Sequence, residues 1–304
     1  MTTPIASLLL QAASAAAGSQ QYPAAALYVV ATPIGNLADL TLRAIHVLSL
    51  VDAVACEDTR HTAPLLRHLG LDKPLLAVHQ HNEQASSGDV IARLARGERV
   101  AYVSDAGTPA VSDPGAALVA AVAASGRAVV AIPGASSAIT AVSVAGDTVG
   151  SGFRFIGFLP ARGNERALAL KALAVAVETQ VLFEAPHRIE ALVSSLAEAC
   201  GSRIVTLCRE LTKQFETVAT LPAAALPGWL AGDANRLRGE FVLVVHAVAP
   251  SESADEAVRH DVVLQTLLAE LPLKQAVSLA AALSGAPRNA LYARALELKG
   301  RAAD

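Results

Sequence analysis

VSDAGTPAVSDPG, residues 103–115, is the stretch from which the rest of the chain can be read. It follows the apolar run 100–103 and leads into the Ala- and Val-rich stretch 116–124. Two Asp, two Ser, a Thr and two Pro are therefore concentrated where a strand gives way to a helix. Asp113 is placed to cap that helix, with Pro114 as its first residue. In an open α/β sheet, ligands bind in the crevice beyond the carboxyl ends of the strands. This loop is predicted to hold a small polar ligand.

The same unit recurs on both sides of it. Apolar runs at 27–31, 53–56, 75–78, 100–103 and 128–132 each end in a polar cluster, and a helix-like segment follows each cluster. The clusters are TPIGN (32–36), EDTRH (57–61), HQHNE (79–83), the opening loop, and PGASS (133–137). Such alternation predicts βαβ units and a parallel sheet. Turns account for polar loops in general. They do not account for acids, histidines and an arginine gathered on the carboxyl side, so a ligand crevice is predicted there. Residues 146–152 read as a linker. Beyond them, strands at 153–159, 181–183, 204–208, 216–221 and 241–246 have shorter connections, which predicts a mixed sheet. Three helices close the chain, at 258–270, 273–283 and 289–298. From 271 to 301 the basic residues Lys274, Arg288, Arg294, Lys299 and Arg301 face Glu297 alone. Such a tail can rest on phosphates or serve as a solvated helical cap. The domains expected are a flexible Ala-rich extension (1–25), an N-terminal α/β domain (26–147), a C-terminal α/β domain (148–249) and a basic helical tail (250–304).

Composition narrows the class. Apolar residues make up 53% of 304 and charged residues 17%, which excludes a disordered chain. A net charge of −3 argues against a uniformly basic nucleic-acid binder but allows a local basic face. Cys56, Cys200 and Cys208 are odd in number and lack CxxC spacing, so they read as buried thiols in a reducing cytosol. Residues 5–17 look like a signal-peptide core, but no Lys or Arg precedes Arg43. No stretch reaches the ~18 consecutive apolar residues of a membrane span. A soluble, cytoplasmic protein is expected.

The first loop has one glycine and matches neither GxGxxG nor GxxxxGK[ST]. The opening loop has no lysine to meet phosphate charge. A phosphate-free ligand fits better, and S-adenosylmethionine is one: Asp105, Gly107 and Thr108 suit its ribose and its carboxylate. Asp58 or Thr59 is placed to cap the helix after the second strand. Arg60, among acids at the crevice mouth, can orient a phosphate or hold a carboxylate. His79 and His81 have H-x-H spacing, but no further ligand pair supports zinc, and no metal is expected. Arg209, Glu210 and Lys213 end a strand in the second block, so both halves can present charged groups to one cleft.

TPIGNLADLTLRA, CEDTRHT, HNE, SDAGTPAVSDPG, PGASSAITA, EAPHRI, RELTK, RGEFVLVV and LPLKQAVSLAA…RNALY occur in that order across residues 27–298. Together they resemble the ribosomal RNA small-subunit methyltransferase I family of the tetrapyrrole-methylase-like superfamily. The resemblance implies two α/β domains of that class plus a helical C-terminal region. It implies S-adenosylmethionine-dependent 2′-O-methylation of a cytidine in the decoding region of 16S rRNA by a cytoplasmic homodimer. Carried over by motif, Pro33, Asp105, Gly107, Thr108, Ser112, Asp113, Ser136 and Ser137 would contact the cofactor. Asp58 or Glu57 would be the base, with Arg60 beside it. Glu83, Arg188, Arg209, Lys213, Lys274 and Arg288 would meet the RNA or small ribosomal subunit. Phe183 stands where the family commonly has tyrosine, and Gln275 where it has lysine. Two rival readings are a tetrapyrrole (precorrin-type) C-methyltransferase and a non-catalytic RNA-binding assembly factor.

Overall fold

The computed structural model describes residues 5–78, 83–248 and 252–301. The crevice-forming half is a five-stranded sheet built from β1 (Ala26–Val30), β2 (Ala53–Cys56), β3 (Leu75–Ala77), β4 (Val100–Val103) and β5 (Ala128–Ile132), in the order β3-β2-β4-β1-β5. Every neighbouring pair is parallel, so all five carboxyl ends emerge at one edge. The alternating pattern predicted this arrangement. The connecting helices are α2 (Leu42–Leu50), α3 (Thr59–His68), α4 (Glu83–Ala95) and α5 (Ala116–Ala124), and α6 (Ser137–Ala145) follows β5. The central strands β2 and β4 are buried at every position, because helices cover both faces of a parallel sheet.

The N-terminal segment differs from its expected flexibility. Ile5–Ala17 forms a helix, α1, ahead of β1. Alanine is the best helix former, and Leu9, Leu10, Ala13 and Ala17 recur at helical spacing. That stripe packs on Ala44, Val47 and Leu48 of α2, leaving Ala13 fully buried. The cap of α5 differs as well. The helix begins at Ala116 with Gly115 at the N-cap position, rather than at Pro114 behind Asp113. Gly115 has φ +125°, and a β-carbon there would fall on the Tyr102 ring, whose hydroxyl donates to Pro114 O at 2.6 Å.

The second sheet contains β6 (Phe153–Phe158), β7 (Thr179–Glu184), β8 (Ile204–Arg209), β9 (Thr217–Pro222) and β10 (Phe241–Val245), in the order β6-β7-β10-β8-β9. Only β6 and β7 pair in parallel, so the sheet is mixed, as its short connections imply. Helices α7 (Gly163–Val175), α8 (Ile189–Cys200) and α9 (Leu226–Ala231) join these strands. The two sheets meet through α6. Its Ala138, Ala141 and Ala145 share a core cluster with Val181, Cys208, Val242 and Val244 of the second sheet. Small side chains let the helix lie close to both layers.

Asp147 anchors the crossover between the sheets. It accepts from Val149 N, Gly150 N, Thr179 Oγ1 and Ala247 N, at 3.0, 3.1, 2.6 and 2.7 Å. Both sheets lie in one compact unit, Met1–Ala247. A second unit, Val248–Asp304, comprises α10 (Glu252–Glu270), α11 (Leu273–Ser284) and α12 (Arg288–Arg301). Leu264, Val277, Ala280, Leu291 and Ala295 form its core. Arg294 joins its helices, donating to Asp261 at 2.8 and 2.7 Å.

Candidate active site

The loops leaving the carboxyl edge are bonded to one another. Thr32, after β1, and Gly107, after β4, exchange backbone hydrogen bonds of 2.9 and 3.1 Å. Gly107 accomplishes this at φ +82°, a conformation that favours glycine. The Thr32 hydroxyl donates to Ser104 O at 3.2 Å, and the Thr108 hydroxyl to Ala135 O at 3.0 Å. Asn36 Nδ2 reaches Thr212 O of the second sheet's loop at 3.2 Å. A β-carbon on Gly35 would meet Lys213 Cγ and Cε at 2.6 Å, so glycine is required for that close approach.

Two cavities open beside this lattice. The first, about 340 Å³, takes Gly107, Thr108, Ser112, Asp113, Ser136 and Ser137 from the first sheet's loops. Phe158, Phe183, Leu211 and Val242 supply its apolar wall. Phe183 packs edge-on against Phe155 and Phe158, with centroids 5.0 and 5.7 Å away. Among the described residues its charged lining is Asp113, Glu184 and Glu240, with no lysine or arginine. Glu184 is fully buried. Its Oε1 accepts from Ala185 N and Arg188 Nε, at 2.9 and 3.0 Å, while Oε2 has no hydrogen-bond partner. Burial pushes the Asp113 carboxyl up from its ordinary value, and Asp105 adds to that.

The second cavity, about 360 Å³, is lined by Pro33, His61, Asp105, Lys213 and others, and shares Ile34, Ala106 and Glu240 with the first. Lys213 Nζ is held by Glu210 and Glu240, each at 2.9 Å. Asp105 joins the loop after β4 to the start of α3. Its Oδ1 accepts from Asp58 N at 3.2 Å, and its Oδ2 lies 2.8 Å from His61 Nδ1. Asp105 thus serves the neighbouring loop in the second cavity, whereas a cofactor ribose was its expected partner.

Asp58 caps α3, as its position implied, accepting from Arg60 N at 2.8 Å. The same carboxylate grips the Arg60 guanidinium, with Nε–Oδ1 3.0 Å and Nη2–Oδ2 2.6 Å. Those bonds hold its acid constant at about 2. A carboxylate so stabilised is a weaker proton acceptor than a free one, and both of its oxygens are already engaged by Arg60. Burial raises Glu57, and Asp105, Asp113 and Asp58 push it further. Neither Glu57, Asp58 nor Arg60 lines either cavity.

Two expected RNA contacts turn inward. Arg209 is buried and donates to Arg238 O and Phe215 O, at 2.6 and 3.1 Å. Arg188 donates to Leu159 O at 2.6 Å and pairs with Glu184. Lys274 and Arg288 are exposed on the second unit. The backbone of Glu83 begins α4, but its side chain, like all of His79 and His81, lies outside the described residues. His61, Glu184 and Glu240 were not singled out from sequence. Their signal is spatial, since each faces a loop far away in the chain.

The fold and paired cavities define a class, the tetrapyrrole methylases. Residues 26–227 match the family described as Tetrapyrrole (Corrin/Porphyrin) Methylases, and residues 253–299 match the RsmI C-terminal HTH domain. A solved uroporphyrin-III-C-methyltransferase from Thermus thermophilus shares the fold at TM-score 0.52 and 24% identity, covering 73% of this chain and 94% of that one. Within that class the chain belongs to the ribosomal RNA small subunit methyltransferase I family, and it is a methyltransferase. The family's Escherichia coli O157:H7 protein is 46% identical over 277 residues, covering 90% of this chain and 96% of its own. The Pseudomonas aeruginosa protein is 46% identical over 283 residues, covering 91% and 99%.

Proposed function

We propose that this chain transfers a methyl group from S-adenosylmethionine to the 2′-hydroxyl of a cytidine ribose in small-subunit ribosomal RNA. The observation that carries the cofactor is the first cavity's lining: Thr108, Ser112, Asp113, Ser136 and Ser137 face an apolar wall, and among the described residues no lysine or arginine lines it. Glu184 is paired with Arg188 and Glu240 with Lys213, so the wall offers phosphate no free cation, and the lining suits a phosphate-free cofactor. Glu184 Oε2 is buried with the Arg166 guanidinium 4.0 Å away and accepts no hydrogen bond, so it can take a donor such as an adenine amino group or a ribose hydroxyl. Gly107, Thr108, Ser112, Asp113, Ser136 and Ser137 would hold the cofactor there, and Pro33 and Asp105 border the adjoining acceptor cavity. When bound, the cofactor supplies an electrophilic methyl group. The laced loops align acceptor and donor, a contribution of up to ~7–11 kcal/mol. Arg60, oriented by Asp58 and 87% exposed, is available to an RNA phosphate, and Glu57 sets the negative field behind Asp105.

The acceptor is read from the names of the relatives, all given as ribosomal RNA small subunit methyltransferase I, with Lys274 and Arg288 as phosphate contacts. A homodimer, the state the family resemblance implies, would cover apolar side chains left exposed on α6 and β6. Ile139 and Val144 of α6 are 55% and 44% exposed, and Phe153 and Phe158 of the edge strand β6 are 41% and 55% exposed. On this reading the protein works beside ribosomes in the cytoplasm. Calorimetry with S-adenosylmethionine, followed by tritium transfer to small subunits and to naked rRNA, tests it. Mapping the product for a cytidine resistant to 2′-OH-dependent hydrolysis completes the assignment. Tight cofactor binding with no transfer to either RNA would overturn the proposal, and sedimentation as a monomer would remove the dimer.

A further inference from the structure

We propose that His61 accepts the proton of the attacking ribose hydroxyl and that Asp105 positions it. The inference rests on the 2′-O-methylation reading and adds the residue that completes the chemistry. His61 Nδ1 lies 2.8 Å from Asp105 Oδ2. A carboxylate oxygen accepts only, so the neutral imidazole carries its proton on Nδ1 and presents a lone pair at Nε2, across the ring. Among the described residues, no other group bonds the ring. Asp105 is itself fixed, because its second oxygen accepts from Asp58 N at 3.2 Å. The ring lines the acceptor-side cavity with Thr32, Pro33, Ala106 and Lys213, and its side chain is 66% exposed. It therefore has both a substrate face and a route to solvent.

The competing carboxylates do not share this geometry. Asp58 spends both oxygens on Arg60 and on the helix cap, and Glu57 lines neither cavity. In the reaction the hydroxyl oxygen bonds the methyl carbon, and the carbon–sulfur bond breaks with its electron pair going to sulfur. The hydroxyl proton passes to His61 Nε2 and then to water.

The charged groups around the ring are Asp105 on the loop after β4, Glu57, Asp58 and Arg60 at the start of α3, and Lys213 and Glu240 across the cavity. The Asp105 hydrogen bond and its charge raise the imidazole above its ordinary value. The base form is the neutral one, so the rate should rise with pH through that raised value.

The test combines single-turnover pH profiles with NMR titration of the imidazole in the cofactor-free protein. His61→Asn should slow transfer by about 10²–10⁴-fold and abolish the limb. Its affinity for S-adenosylmethionine should stay within about twofold of wild type. Asp105→Asn should lower the NMR titration midpoint of His61 and move the kinetic limb with it. A limb that survives His61→Asn, or disappears with Glu57→Gln instead, would overturn the proposal. So would a His61 midpoint unmoved by Asp105→Asn. Absence of transfer in the wild-type protein would instead refute the 2′-O-methylation reading, leaving the His61–Asp105 titration as a separate measurement.

Discussion

Replacing Asp147 by alanine should loosen the junction of the two sheets, and the loss should depend on pH. Four hydrogen bonds converge on this carboxylate, from the crossover, from β7 and from the end of β10. Partial burial pushes its acid constant up, but the bonds from Thr179, Ala247, Val149 and Gly150 outweigh burial and bring it from 3.8 to about 2. At about 1.4 kcal/mol per pH unit, that difference is worth roughly 2.5 kcal/mol, which solvent screening cuts to about 1–2. The alanine variant also leaves the hydroxyl of buried Thr179 without its acceptor, adding about 1 kcal/mol. The expected destabilisation is therefore about 2–3 kcal/mol at pH 7, or roughly 4–9 °C in Tm. A group with a depressed folded-state acid constant contributes fully above its unfolded value, 3.8, and loses that contribution as pH falls through about 2. About half of the charge-dependent part should be gone at pH 3. Urea unfolding followed by Trp229, which packs against the second sheet's core, reads this directly. Equal losses for Asp147→Ala at pH 7 and pH 3 would refute the electrostatic account. A loss below about 0.5 kcal/mol at pH 7 would refute the junction itself.

Gly115→Ala places a β-carbon on the Tyr102 ring at φ +125°, so it should cost about 2–4 kcal/mol and weaken S-adenosylmethionine binding at least tenfold by calorimetry. Lys274→Glu with Arg288→Glu should weaken rRNA binding and reduce its salt slope by about 1 per lost phosphate contact, with cofactor affinity unchanged. Filter binding across a salt series would show this. Deleting residues 1–21 removes the Leu9, Leu10 and Ala13 stripe from α2 and should lower stability by about 2–4 kcal/mol in thermal melts.

The order of strands and helices was legible because apolar runs of strand length alternate with helix-length segments, a periodicity written in adjacent residues. The clusters at the strand ends were legible for the same reason, and Gly107, Thr108, Ser112, Asp113, Ser136 and Ser137 do line one cavity. What the sequence concealed depends on distance along the chain. His61 and Asp105 are separated by 44 residues and meet only because β2 and β4 are neighbours in the sheet. Arg209 read as a surface cation, yet backbone carbonyls at Phe215 and Arg238 take its guanidinium inward. An Ala-rich segment such as 5–17 carries few large side chains, so its packing on α2 rests on a stripe too faint to separate from a loose tail.

Ile34, Ala106 and Glu240 form one wall common to both cavities, so with donor and acceptor placed as proposed, binding of one is expected to affect binding of the other. A ligand that shifts this wall from one side changes the shape offered on the other, so the two affinities are thermodynamically coupled. Linkage makes that coupling reciprocal: the factor by which methyl donor alters RNA affinity must equal the factor by which RNA alters donor affinity. Glu240, tied through Lys213 to Glu210, is the charged member of the wall through which an electrostatic share of that coupling would pass.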